Sequence, residues 1–197
     1  MHSELELDLA NGAPSNPEST ERSVLEETVN RQHVVDDLLQ LARSDSDPSD
    51  FASAPVDLDD IVLREARRVR ERDRVKVDLR GVSAAQTVGD AQQLARATRN
   101  LLDNAERHAT TSVTITLAEI AGRVRLTVTD DGSGIPAGDR ERIFERFSRL
   151  DEARTRDAGG TGLGLAIVRD IVRRSNGTIT IADGLPTTFV VDLPVAP

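Results

Sequence analysis

Arg99-Asn-Leu-Leu-Asp-Asn-Ala-Glu-Arg-His108 is the stretch on which the reading of this chain turns. It belongs to a helix that starts after Asp90, an N-capping residue type, and runs to about His108. Leu94, Leu101 and Ala105 share one face of that helix, the face to be buried. Asn100 and Asn104 are four residues apart and share another, which Arg107 and His108 continue one turn later. Such a face has two readings. It is a solvated polar surface, or it offers two amide oxygens to a hard cation with a positive charge alongside for phosphate; Mg²⁺ takes oxygen ligands and commonly shares them with substrate phosphates.

Working outward, β and α signals alternate. Val56–Leu58 is a short strand, and Asp59 or Asp60 caps a helix to about Arg72. Val75–Leu79 alternates as a strand, and Thr87-Val88 is a possible third. Val113–Leu117 and Val124–Val128 pair around the Ala121-Gly122 turn. A short helix near Arg140–Phe144, a polar stretch from Ser148 to Gly160, a helix from Leu163 to about Arg174 and a hairpin of Thr178–Ala182 with Phe189–Leu193 complete the chain. Helices beside mostly antiparallel strands predict a two-layer α/β sandwich.

Three further clusters carry chemistry. Asp130-Asp-Gly-Ser-Gly-Ile-Pro136 follows a strand; it is a glycine turn, or a carboxylate placed for an exocyclic amine with glycines that admit a flat ring. Asp131 is equally able to be the exposed member of the aspartate pair. Ile143-Phe-Glu-Arg-Phe147 holds two of the four phenylalanines, and both rings are expected in the core. Arg149, Arg154 and Arg156 follow in the polar stretch as candidate phosphate clamps. Gly159-Gly-Thr-Gly-Leu-Gly-Leu165 runs into a helix, where backbone N–H groups and absent side chains suit a phosphate. No Lys-Ser/Thr follows the last glycine, so it is not a Walker loop.

These clusters, in this order, resemble the boxes of the histidine-kinase ATP-binding domain, a branch of the ATPase superfamily that includes gyrase, heat-shock chaperones and mismatch-repair proteins. The resemblance covers roughly Pro55 to Pro194. It implies a Bergerat-type α/β sandwich that binds ATP with Mg²⁺ and donates the γ-phosphate. Asn100 and Asn104 would hold the metal, Arg107 and Arg149 would reach the phosphates, His108 would lie beside the adenine and Asp130 would receive its amine. Gly132, Gly134 and Ile135 would shape the ring pocket, and Gly160, Thr161, Gly162, Leu163 and Gly164 would form the phosphate loop.

The N-terminal part differs. Ser3–Ala10 is ambiguous between helix and strand, and a turn-rich stretch to Pro17 ends it. From Ser19 to about Arg43, Val24, Leu25, Val29, Val35, Leu38, Leu39 and Ala42 form an apolar stripe that needs a packing partner. Val35–Arg43 resembles the second helix of the family's dimerisation and phosphotransfer hairpin. Residues 1–44 are therefore expected to be a remnant hairpin, 45–55 a linker and 56–197 the ATP-binding domain. The family's acceptor His is followed by an acidic residue and, a few positions on, by Pro. His2 precedes Ser3-Glu4-Leu5-Glu6-Leu7 without a proline, and His33 precedes Val34-Val35 on the other helix, so the acceptor is expected to be absent here or supplied in trans.

Composition sets the outer limits. The net charge of −9 opposes a broad nucleic-acid-binding face, and the lack of cysteine excludes disulfides, thiolate metal sites and a cysteine nucleophile. No apolar run reaches the roughly 20 residues of a membrane span, and no signal peptide is expected. The implied place is the cytoplasm, including the cytoplasmic portion of a membrane-anchored sensor. The implied partners are ATP, a response-regulator receiver domain and a second chain, like or unlike, bound through the N-terminal helices. Two rival readings use the same fold or ligand: a serine/threonine kinase of the anti-sigma-factor type, and a non-catalytic nucleotide-binding or dimerisation module.

Overall fold

The computed structural model of the protein describes residues 54–148 and 162–197. The expected N-terminal hairpin, with His2 and His33, lies outside the described residues. The described elements, in chain order, are β1 (Ala54–Asp57), α1 (Leu58–Glu71), β2 (Lys76–Val82), β3 (Gln86–Gly89), α2 (Ala91–His108), β4 (Ser112–Ile120), β5 (Arg123–Asp130), α3 (Gly164–Arg174), β6 (Thr178–Ile181) and β7 (Thr187–Pro194), with two short 3₁₀ turns at Ala137–Asp139 and Arg142–Phe144.

Five strands form one sheet in the order β2-β4-β5-β7-β6, with β2 parallel to β4 and every other neighbour antiparallel. β1 and β3 form a separate antiparallel pair. The expected two-layer α/β sandwich is the fold: three helices cover one face of the sheet. Alternation makes that possible, since Val113, Ile115 and Leu117 on β4, Val124, Leu126 and Val128 on β5, and Phe189, Val191 and Leu193 on β7 all point into the core and are 3% exposed or less. Each helix answers with a buried stripe, such as Leu58, Ile61, Val62, Ala66 and Val69 on α1. α2 packs against both α1 and α3.

Local chemistry fixes the ends of α2. The Asp90 carboxylate accepts from the N–H groups of Gln92 and Gln93 at 2.8 and 3.1 Å, as an N-cap should. At the far end Ala109 turns extended. Ala121 and Gly122 both have positive φ, 52° and 74°, which turns β4 into β5 with the twist a two-residue hairpin needs.

Two expectations need correction. Neither Asp59 nor Asp60 caps α1; Asp57 holds that position without a capping bond, and its Oδ1 accepts from Gln86 Nε2 at 2.6 Å across the β1–β3 pair. Asp59 instead accepts from the Ala85 N–H at 3.3 Å. Phe147 is not a core residue: it is 65% exposed with φ of 62°. Phe144 is the buried ring of the two, edge-on to Phe189 with centroids 6.3 Å apart and the Arg169 guanidinium over its face.

Candidate functional site

The sheet places Asp130. In β5 the inward positions run Val124, Leu126, Val128 and then Asp130, so the strand's own alternation delivers a carboxylate into a slot that apolar residues occupy one pair earlier. Asp130 is 2% exposed. Its Oδ1 accepts from the Gly132 N–H at 3.0 Å, and the Thr187 hydroxyl donates to it from β7, where Thr187 stands opposite Asp130 in register. Burial pushes the Asp130 carboxyl above the ordinary carboxylate value, against the pull of the Gly132 N–H, His108 and Thr187.

Asp131 resolves the alternative that the sequence left open: it is the exposed member. Its Oδ1 accepts from the backbone N–H groups of Thr110, Thr111 and Ser112 at 2.8, 2.9 and 3.1 Å, while the Thr111 and Ser112 hydroxyls donate to Oδ2. Those donors, the Thr111 hydroxyl foremost, hold its carboxyl well below the usual range. Asp131 thus pins the α2–β4 loop to the turn and has its own acceptor capacity filled from within the chain.

Close approach of backbone requires Gly132 in this turn, and a left-handed backbone favours Gly134. A Cβ on Gly132 would collide with the His108 carbonyl oxygen, so the turn lies directly on the C-terminal end of α2. Gly134 has φ of 87°, and a Cβ there would strike Leu185 in the β6–β7 connection. Ile135 is half-buried, and its carbonyl faces Arg140 Nε at 3.4 Å.

The helical side supplies the second half. Asn100 and Asn104 are half-buried on α2, while Arg107 and His108 are exposed one turn on. Asn100 Nδ2 reaches the carbonyl of Gly164, the first residue of α3, at 3.4 Å. The asparagine helix and the end of the glycine loop therefore meet. The arrangement turns the Asn100 amide nitrogen toward Gly164 and leaves its oxygen for another partner. The Asn100 amide stands beside the start of α3 and Asn104 lies one turn further along α2; amide oxygens are ligands that fit Mg²⁺ shared with phosphate. Gly162, with φ of 69°, places its would-be Cβ 2.9 Å from Phe147 Cα, and the Phe147 N–H donates to the Gly162 carbonyl at 2.9 Å. Leu163 is fully buried. Arg149, Arg154, Arg156, Gly160 and Thr161 lie outside the described residues.

Two described contact points thus lie along α2: Asn100 with α3, and His108 with the turn after β5. At 1.5 Å per residue they are about 12 Å apart. Thr187 is the residue that sequence reading missed. A signal was there: Thr187, Phe189, Val191 and Leu193 form the inward series of β7, so Thr187 is a polar residue at the head of an apolar alternation.

Residues 89–197 match the family described as histidine kinase-, DNA gyrase B-, and HSP90-like ATPase. The chain is similar to the sensor protein IrlS of Burkholderia pseudomallei, 39% identical over an alignment of 189 positions that covers 88% of this chain and 39% of IrlS. It is similar also to the signal transduction histidine-protein kinase/phosphatase MprB of Mycolicibacterium paratuberculosis, 36% identical over 93% of this chain and 37% of that protein. The chain thus spans about two-fifths of the length of these curated relatives. Among solved structures, a mycobacterial sensor histidine kinase MprB superposes with a TM-score of 0.65 at 33% identity, over 74% of this chain and 99% of that one. The ATP-binding domain of PrrB from Mycobacterium tuberculosis does so at 0.61 and 27% identity, over 74% and 98%.

Proposed function

The chain belongs to the histidine kinase-, DNA gyrase B- and HSP90-like ATPase family, and from that membership we propose that it is the Mg·ATP-binding catalytic part of a two-component sensor kinase. Asp130 accepts the adenine amine, Gly132, Gly134 and Ile135 border the ring, and His108 lies beside it. Asn100 and Asn104 hold Mg²⁺ through their amide oxygens. Arg107 and Arg149 meet the phosphates, and residues 160–164 cradle them with backbone N–H groups. The bound cation would neutralise phosphate charge as the γ-phosphoryl group leaves. Residues 1–44 act as a hairpin remnant through which two chains pair, 45–55 as a linker, and a receiver domain takes the phosphoryl group onward. The setting is the cytoplasmic side of a sensor; among the described residues no helix is long and apolar enough to cross a membrane.

The single observation that carries this reading is Asp130: a buried carboxylate at a strand end, followed by a glycine turn that packs on the C-terminal end of α2, about 12 Å along that helix from the Asn100–Gly164 contact. Asn100 offers a neutral amide in place of a carboxylate that could activate water, so hydrolysis without an acceptor is slow. The acceptor histidine is neither His2 nor His33; it is supplied in trans or belongs to a part of the protein missing from this fragment.

Incubation with γ-labelled ATP tests the proposal, alone and with a hairpin carrying a His-acid-x-x-x-Pro segment. The expected result is Mg²⁺-dependent, acid-labile label on the added hairpin and none on this chain. Acid-stable label on a serine or threonine substrate would favour the anti-sigma-type kinase. ATP binding with no transfer to any hairpin would favour the non-catalytic module.

A further inference from the structure

α2 carries two neighbouring polar stripes. One is Asn100, Asn104 and Arg107. The other is Arg99, Asp103 and Glu106, each one residue earlier than its counterpart. α1 engages this second stripe with a ladder of charges. Glu65, 3% exposed, accepts from Arg99 Nε and Nη2 at 3.0 and 3.2 Å. Arg68 bridges the ladder, donating to Glu65 Oε2 at 3.3 Å and to Asp103 Oδ1 at 3.0 Å. Arg72 donates to Asp103 Oδ1 at 2.9 Å and to Glu106 Oε2. Glu106 is 6% exposed, and its Oε1 is the one buried side-chain oxygen or nitrogen without a hydrogen-bond partner among the described residues.

The ladder fits only one register. Glu65, Arg68 and Arg72 read negative, positive, positive along α1 and its C-terminal cap, and Arg99, Asp103 and Glu106 read positive, negative, negative along α2. Sliding one helix by a turn would set Glu65 beside Asp103 or Arg68 beside Arg99, and Glu65 is almost fully buried. Rotating α2 would pull the guanidinium of Arg99 off a buried carboxylate. Buried ion pairs are poor evidence of stability, and their best-attested use is to fix registry. Successive helical residues differ by about 100° in azimuth. Fixing the stripe at 99, 103 and 106 therefore fixes the stripe at 100, 104 and 107.

We propose that Glu65, Arg68 and Arg72 are positioning residues that set the rotation and register of α2, and through it the aim of Asn100, Asn104 and Arg107 at the metal and phosphates. The inference rests on the Mg·ATP reading above. The ladder acts mainly on the phosphate end, because the carboxylate that meets the adenine, Asp130, is carried by β5 and supported from β7 by Thr187, while α2 contributes only its last residue, His108, to that end.

The test is calorimetric titration of the full chain with ATP, once with Mg²⁺ and once with EDTA. Glu65→Gln keeps the size and an acceptor oxygen while removing the charge. Its affinity for Mg·ATP should fall about tenfold, because a small misalignment of positioned groups is costly, and its affinity for metal-free ATP by less than about threefold. Glu65→Asp, which restores the charge, should recover part of the Mg²⁺ advantage. If Glu65→Gln does not fold, Asp103→Asn, whose side chain is 31% exposed, provides the same comparison. Equal losses with and without Mg²⁺, or no loss in either, would overturn the positioning role. A parent that binds no Mg·ATP would overturn the functional reading along with it.

Discussion

On the inner side of the turn after β5, Asp130 is buried and its carboxyl is pushed up; on the outer side, Asp131 is exposed and its carboxyl is held down. The two are the same residue type joined by one peptide bond. Burial separates them, and so does the supply of donors. Asp131 receives three backbone N–H groups and two hydroxyls from residues 110–112. Asp130 receives the Gly132 N–H and the Thr187 hydroxyl. The chain spends Asp131 on its own architecture and leaves Asp130 as a desolvated acceptor that an exocyclic amine would complete. A carboxylate kept under-satisfied destabilises the free protein and favours a ligand that donates to it.

Perturbing the turn should separate these roles. The largest effect is expected for Gly132→Ala, whose Cβ has no place beside the His108 carbonyl. Overpacking of this kind costs about 1–3 kcal/mol and shifts the backbone, so thermal melting should show a lower Tm and calorimetry no ATP binding. Next is Asp130→Asn. Loss of a charge-assisted hydrogen bond worth about 1.5–3 kcal/mol should weaken ATP roughly tenfold or more. The same variant should be more thermostable than the parent at pH 7. The folded carboxyl titrates above its ordinary 3.8, so the folded state holds the proton more tightly than the unfolded one. The destabilisation due to its charge is absent below 3.8 and grows as pH rises through the folded value. The gain in Tm should accordingly disappear in acid.

Thr187→Val comes third. It removes one neutral donor to Asp130, worth about 0.5–1.5 kcal/mol, so the Tm at pH 7 should fall while calorimetry shows ATP affinity retained, because the carboxylate is left with more acceptor capacity for the amine. The smallest effect on binding belongs to Asp131→Ala, for which calorimetry should give an affinity close to the parent's. Its Tm should nevertheless drop at pH 7. Here the sign reverses: the folded carboxyl titrates below 3.8, so its stabilisation is present above that value and is lost as pH falls toward the folded one. Melting curves of parent and variant should converge in acid. An Asp131 variant that lost ATP while Asp130→Asn retained it would invert the comparison.

Much of this was legible in the sequence, for identifiable reasons. Asp90 at the head of a periodic stripe announced α2, and the capping bonds are there. Alternation around Ala121-Gly122 gave the β4–β5 hairpin, with both turn residues at positive φ. The parallel pairing of β2 with β4 was not legible, because strand order is decided by which surfaces can be buried together. The cap position fell to Asp57, whose side-chain partner, Gln86, lies 29 residues away on β3, outside the reach of a local pattern. The exposure of Phe147 escaped because residues around the two 3₁₀ turns have no periodicity from which burial can be read. Thr187 was missed because its role exists only in the register of β7 against β5. Local signals reached the residues on each element, whereas the pairing of elements set the surroundings that make Asp130 unlike Asp131.

The most direct test of the central claim is calorimetric titration of the parent chain with ATP and with GTP at saturating Mg²⁺. Asp130 offers an acceptor, which matches the amine of adenine and faces the carbonyl that guanine presents in its place. ATP should bind at least about tenfold more tightly than GTP, the penalty of setting two acceptors against each other in a buried site. Equal affinities for the two nucleotides would contradict the assignment of Asp130, and the account of the turn with it.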